Sequence, residues 1–404
     1  MNVVFVEPSF PHNQREFVRG LAAVGARVFG IGERPYEWLD EELKGWLTDY
    51  VQIGSVTDTP VLRQAVELVQ SRVWVDLLEA TIESHTLPTA EVREACGIPG
   101  TSRRTAWLCR DKPSMKQTLS AAGIPTAATV AATTSEEITD FVARIGYPVI
   151  IKPRSGAGAQ GTTKINNDTE LAAAIAALAD DQVAVEEFVD GHEGFYDTLS
   201  IDGTAAHDFV CHYYPNVLEA MRTRWISPQF ISTNEVDAVG AYAQVKELGH
   251  RVNEVLGIGT SATHLEWFIG DRGLRFSEVG CRPSGVGAWD LYAHGNEMDP
   301  YRAWAQAVVH GSSDQLTSRR FAAGMIALRP GSDGVITRYD GVDEIWDRYG
   351  EWIIDDHFPP PGTPTQPVEA GYMANAWMRL KHPSYETMRA MLDDVGRSVT
   401  VHAA

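Results

Sequence analysis

IIKPRSGAGAQGT, residues 150–162, is the stretch from which the reading of this chain starts. A short apolar strand ends at Lys152 and runs into a loop carrying Gly156, Gly158 and Gly161. Such a segment offers one cation and several pliable backbone amides to phosphate oxygens. No GK[ST] closes the loop, and a strand (TTKI, 162–165) follows it where a Walker P-loop would open a helix. Taken alone, the same residues also describe a plain surface loop, so their meaning depends on what surrounds them.

Working outward, CRDKPSMK (109–116) brings Lys112 and Lys116 in front of a helix, and VAVEEFVDGHEG (183–194) sets Glu186, Glu187 and Glu193 around a strand leaving a sheet. Each alone reads first as solvated charge. ATHLEWFIG (262–270) turns through DRG into LRFSEVGCR (274–282), a hairpin in which Glu266 and Glu278 stand at similar distances from the turn. Such offsets make the two carboxylates near neighbours on one face. They repel unless a proton or cation lies between them, and few carboxylates plus phosphate oxygens is the donor set magnesium prefers. Two exposed sheet carboxylates are the alternative. His264 reads as a strand neighbour of this pair and not as a ligand, because magnesium takes oxygen.

Upstream, the first hundred residues alternate strand and helix: NVVFVE, QREFVRGLAAV (14–24), RVFGIG, YVQIG, TPVLRQAVELVQ (59–70) and VWVDLL. This alternation predicts a doubly wound parallel sheet. The first strand runs into EPSFPHNQ without GxGxxG, which removes most support for a dinucleotide oxidoreductase. Two helices bracket the approach to the glycine loop: one ends at Gly123, and TSEEITDFVARIG carries a capping signal and stops at Gly146. Strands dominate from about residue 193, a long helix is expected over 235–257, and the tail alternates strand-like runs with a Pro-rich turn and a final helix.

The chain has 404 residues, enough for two to four domains or subdomains. No apolar run approaches the roughly 18 residues of a membrane span. The start, MNVVFVEPSF, reads as a first strand and not as a signal peptide. Four scattered cysteines with no CxxC pair argue against a zinc module or disulfide framework and fit a reducing cytoplasm. A net charge of −20 repels nucleic acid and anionic lipid, so any phosphate site must be a pocket. The tryptophans are assigned to the core by default.

The order of the motifs is far more specific than any one of them. DK, IIKP with its glycine loop, ExFV, HxE and ExxxR together form a plan that resembles the ATP-grasp superfamily over most of the chain. VDLLEATIESHTLPTAEVREACGIPGTS (75–102) resembles that family's N-terminal domain. AAGMIALRP, the PPPG turn and HPSYETM resemble the C-terminal lid portion of the L-amino-acid (dipeptide) ligase and biotin-carboxylase-like branches. The resemblance implies an α/β N-terminal domain (1–108), an ATP-grasp small subdomain (109–190), a large α+β subdomain with the metal site (191–315) and a C-terminal α+β lid portion (316–404).

Carried over residue by residue, the resemblance gives Lys112 and Lys152 to the ATP phosphates and closes the loop from Ser155 to Gly161 over them. Glu186 and the backbone at Val189 would hold adenine, and Glu193 the ribose. Glu266 and Glu278 would ligate Mg2+, and Arg282 would stabilise the transferring phosphoryl group. The family commonly has E-x-N after the second acid; here that position is Gly280, which puts a second magnesium in doubt. SGVGAWDLY, with Ser284 and Gly285, lies where acyl substrates approach in such enzymes, and Arg222 and Arg224 in MRTRW could pair with a substrate carboxylate. The activity implied is ATP-dependent joining of a small carboxylate to an amine through an acyl phosphate, with ADP and phosphate released and a possible homodimer. A bicarbonate- or purine-type ligase and a non-catalytic nucleotide-binding scaffold are the alternatives.

Overall fold

Residues 1–156, 161–178, 182–238, 240 and 242–404 are described by the computed structural model. The alternating N-terminal segments form a four-stranded parallel sheet in the order Leu47–Gln52, Arg27–Gly32, Asn2–Val6, Leu77–Glu79. Successive side chains of the first strand point to opposite faces. Val3 and Phe5 pack with the helices Gln14–Ala23 and Pro300–His310, and Val4 and Val6 pack with Thr59–Gln70 and Glu83–Cys96. Both faces are therefore covered, as the doubly wound pattern predicts. The expected strand over 73–78 is shorter and shifted to Leu77–Glu79. Asp76 instead accepts from the Asn2 backbone N–H at 2.7 Å, and Trp74 is 78% exposed.

A second, antiparallel sheet has the order Thr129–Ala132, Val183–Glu187, Val149–Pro153, Thr163–Ile165. The helix Ser135–Ile145 flanks it, and the predicted capping box is formed reciprocally by Thr134 and Glu137, with Gly146 at φ +82° ending the helix.

The third sheet has eight strands, ordered Gly273–Gly280, Ser261–Gly270, His192–Ile201, Thr204–Tyr214, Gln229–Ser232, Ala322–Leu328, Ala376–His382, Ile353–His357. Its last three strands come from the segment expected as a separate portion from residue 316, so that boundary falls inside one continuous sheet. The final helix, Tyr385–Ser398, packs Met388, Met391, Leu392 and Val395 against Ile326 and Met378 of this sheet.

Two expectations need correction. The helix expected over 235–257 begins only at Ala243 and runs to Leu256, because Gly240 sits at φ +75°, a left-handed conformation that a right-handed helix cannot contain. The tryptophans are not uniformly core: Trp267, Trp289, Trp304 and Trp377 are buried, whereas Trp38, Trp74, Trp107, Trp225 and Trp346 are exposed.

The 261–280 hairpin joins the smaller antiparallel sheet to the larger one. Phe276 N donates to Pro125 O at 2.8 Å, stitching the entry to the smaller sheet onto the hairpin of the larger one. The groove between those sheets is where the conspicuous charges collect.

Candidate nucleotide and metal site

A cavity of about 1,090 Å³ lies between the two antiparallel sheets. Its wall includes Lys112, Lys116, Lys152, Glu186, Glu193, Glu266 and Glu278, so residues spread over more than 160 positions of sequence meet in one space.

The cations arrive from two elements. Asp111 caps the helix Lys112–Ala121 by accepting from Ser114 N at 3.2 Å, which fixes its first turn and sets Lys112 and Lys116 one turn apart on one face. Asp111 also accepts from Arg154 at 2.8 and 3.0 Å, tying that helix start to the entrance of the glycine loop. Lys112 Nζ donates to Gly156 O at 2.7 Å and stands 3.4 Å from Glu278 Oε2. Lys116 and Lys152 both reach Glu186 Oε2, at 2.6 and 2.9 Å, and Lys152 is 3.9 Å from Glu278.

Burial alone would discharge Glu186, but the two ammonium groups outweigh it and hold the carboxyl down at about 2. Burial, aided by the neighbouring Lys152, lowers Lys116 to about 8. For Lys152 burial also opposes the charge, yet Glu186 and Glu278 reverse the balance and raise it. The two lysines outnumber the one carboxylate oxygen they share, which gives this part of the wall a local positive field. Polyphosphate is the kind of ligand such a field attracts.

The anionic wall is built by the hairpin. Glu266 and Glu278 are direct cross-strand partners. Trp267 pairs with Phe276 and Glu266 with Glu278, so Ser277 is an extra residue and the strand bulges there. Without the extra residue Glu266 would face Ser277 and Glu278 would turn to the opposite face, since a one-residue slip reverses every side chain. Burial raises the Glu278 carboxyl, but Lys112 and Lys152 pull it below its ordinary value. Glu193, on the strand beside Glu266, is pushed well upward by burial and then by the Glu266 charge; its Oε2 accepts from Val217 N at 2.7 Å.

Behind Glu266 sits His264, with Nδ1 2.8 Å from Asp197 and Nε2 3.6 Å from Glu266. Burial disfavours its charge, but Asp197 outweighs burial and raises the imidazole to about 9. Tyr292 donates to the second Asp197 oxygen at 2.7 Å.

These donors fit magnesium held jointly with a nucleotide. Two oxygen donors stand side by side, with phosphate-seeking lysines opposite. Among the described residues no group of three or more His, Cys, Asp or Glu could hold a metal by itself. Glu266 and Glu278 would therefore hold the ion only together with phosphate oxygens and water.

The other expected residues are placed as follows. Ser155, Gly156 and Val189 line the cavity, Gly161 lies beside Pro153 off the wall, and Gly158 lies outside the described residues. Glu186 was expected at adenine, but its Oε2 is taken by two lysines, leaving only the buried, unpartnered Oε1 for a ligand. Arg222 is on the wall and donates to Thr162 O. Arg224 is not: it donates to Asp333 at 2.6 Å in an exposed ion pair. Arg282, Ser284 and Gly285 lie past the Glu278 end of the hairpin and are not on the cavity wall; Ser284 is buried with its hydroxyl unpartnered. Sequence reading missed Asp197, whose only signal is an acidic residue at an inward position of an apolar strand. It also missed Glu83, which opens the helix Glu83–Cys96 and pairs with Arg282 at 2.8 Å.

Comparison with known proteins bears on this geometry. Residues 117–296 match the model of the ATP-grasp domain. The L-arginine-specific L-amino acid ligase of Bacillus subtilis is 26% identical over 251 residues, 60% of this chain and 60% of that protein, so the match leaves two fifths of that relative unaligned. The formate-dependent phosphoribosylglycinamide formyltransferase of Burkholderia cenocepacia is 24% identical over 324 residues, 74% of this chain and 78% of that protein. Among solved structures, an L-amino acid ligase from Bacillus licheniformis superposes with a TM-score of 0.77 at 18% identity, covering 100% of this chain and 98% of its own, a likeness of fold. None of the described helices is long and apolar enough to cross a membrane. The segment that matches the ATP-grasp domain, residues 117–296, contains the whole of the smaller antiparallel sheet and the first five strands of the larger one, and so carries Lys152, Glu186, Glu193, Glu266 and Glu278 of the cavity wall.

Proposed function

We propose that the protein is an ADP-forming ligase that uses Mg-ATP to phosphorylate a small carboxylate and joins the acyl phosphate to an amine, an amino acid being the first candidate for either partner. The observation that supports this most is the meeting of Lys112, Lys116 and Lys152 with Glu266 and Glu278 in one cavity. A carboxylate resists amine attack, so the chemistry needs charge neutralisation and positioning more than covalent help from the protein. Magnesium, when bound, would neutralise phosphate charge and orient the γ-phosphoryl group. Lys112 and Lys152 would hold phosphate oxygens, Glu193 and the backbone at Val189 the nucleoside, and Arg282 the transferring group. Arg282 is kept charged because Glu83, Asp197 and Glu266 outweigh the cost of its burial.

The test is incubation with Mg-ATP and pairs of amino acids, following ADP and product mass. ADP release that requires both partners, with a condensed product, is expected. ADP release with no carboxylate–amine pair of any kind, or none at all, would contradict the proposal. The longer alignment to the formyltransferase favours a second reading, in which the acid is as small as formate and the amine belongs to a larger molecule. Formate-dependent ADP release would distinguish it.

A further inference from the structure

The strand leading out of the hairpin carries no side chain at position 280, and the space beside that glycine is filled from the N-terminal domain. A Cβ built on Gly280 would lie 2.8 Å from Glu83 Oε2 and 3.4 Å from Arg282 Nε. A Cβ essentially never sits 2.8 Å from a neighbouring atom, so a side chain at position 280 would push away the Glu83 carboxylate, the free end of its side chain. Gly280 is not in a left-handed conformation, so backbone freedom does not explain the residue. Occupied volume does.

The occupant is itself well held. Glu83 Oε2 accepts from Arg282 Nε at 2.8 Å, Arg110 lies 3.5 Å from its other oxygen, and Arg110 also donates to its backbone carbonyl. Glu83 opens a 14-residue helix, where a carboxylate gains from the helix dipole. Arg282 is anchored a second time through Nη1, which donates to Pro283 O at 2.7 Å. With Nε and Nη1 both engaged, the guanidinium plane has one orientation. Its Nη2 makes no hydrogen bond among the described residues.

Resting on the role proposed for Arg282, we infer that Glu83 is the positioning residue that orients the Arg282 guanidinium from the N-terminal domain, and that residue 280 is glycine to admit the Glu83 carboxylate. The orientation of Arg282 then depends on docking of the N-terminal parallel-sheet domain. Position 83 and position 280 behave as one unit: a side chain at 280 expels the carboxylate, and losing the carboxylate frees room at 280.

The full-length protein and the variants Glu83→Gln, Glu83→Ala, Gly280→Ala and Gly280→Ala/Glu83→Ala test this in two ways. Phenylglyoxal modification of Arg282, followed by peptide mass spectrometry, needs no catalysis. Arg282 is expected to react several-fold faster in Glu83→Ala and Gly280→Ala than in the parent, while Arg93 stays unchanged. In ADP formation, Gly280→Ala and Glu83→Ala are each expected to lower kcat with little change in KM for ATP. The double variant should be less impaired than the product of the single effects by about tenfold, within the range of couplings between residues in contact. Strictly multiplicative single effects, or unchanged Arg282 labelling in both single variants, would overturn the inference. If no carboxylate–amine pair supports turnover, the ligase reading fails alone, and the labelling result still decides the positioning role.

Discussion

Lys116 and Lys152 donate to the same oxygen of Glu186, at 2.6 and 2.9 Å. One carboxylate therefore holds two cations, from a helix and from a strand, at the wall of the cavity. Because each partner is buried, the arrangement is sensitive to loss of the shared anion.

Glu186→Gln is expected to destabilise the protein by about 3 kcal/mol, since it leaves buried ammonium groups without their counter-charge. Chemical denaturation measures this. Lys152→Met should weaken ATP binding and be better tolerated by the fold, because the smaller cluster keeps one cation paired with Glu186. A Glu186→Gln variant as stable as the parent would remove the shared-anchor account.

Glu266 and Glu278 give a metal-dependent expectation. ATP with magnesium should raise the melting temperature more than ATP with a chelator, by the linkage of binding to stability, about 2.7 kcal/mol at a hundredfold excess over Kd. In Glu278→Ala that magnesium increment should vanish while the chelator value stays. An increment that survives in Glu278→Ala would place the ion elsewhere.

The imidazole of His264 sets a pH dependence. Its folded value, about 9, lies above the ordinary 6.5, so the folded state binds the extra proton between these values. Its contribution is fully present below about pH 6.5 and is lost as pH rises through 9, up to about 3 kcal/mol by linkage. In magnesium-free buffer, stability should fall over that window, and His264→Gln should flatten the slope. An unchanged slope in the variant would assign the proton to another group.

Much of this site was legible because its parts are local. The lysine at a strand end, the capped helices and the hairpin with one acid on each arm are short-range patterns that fold as read. The bulge at Ser277 was not legible: equal spacing from the turn suggests facing acids, yet only the extra residue makes Glu266 and Glu278 partners. Glu83 and Asp197 were equally hidden. Each acts through a partner far away in sequence, Arg282 and His264, and a single sequence holds no record of such distances. Lys116 was visible as a charge, but its burial beneath Glu186 follows from how the helix packs on the sheet.

Glu193 gives a specificity expectation. Its placement beside Val217 at the cavity edge suits a ribose contact. Glu193→Ala should reduce the preference for ATP over 2′-deoxy-ATP, read as a ratio of kcat/KM values. An unchanged ratio would move the ribose away from this side chain.

The most direct measurement follows oxygen. A carboxylate substrate carrying heavy oxygen in its carboxyl group is incubated with the enzyme, Mg-ATP and the amine partner, and the released phosphate is examined by mass spectrometry. Transfer of one labelled oxygen from the acid to inorganic phosphate is predicted, because the acyl phosphate is broken at its acyl carbon. Phosphate free of label, alongside formation of the amide product, would contradict the account.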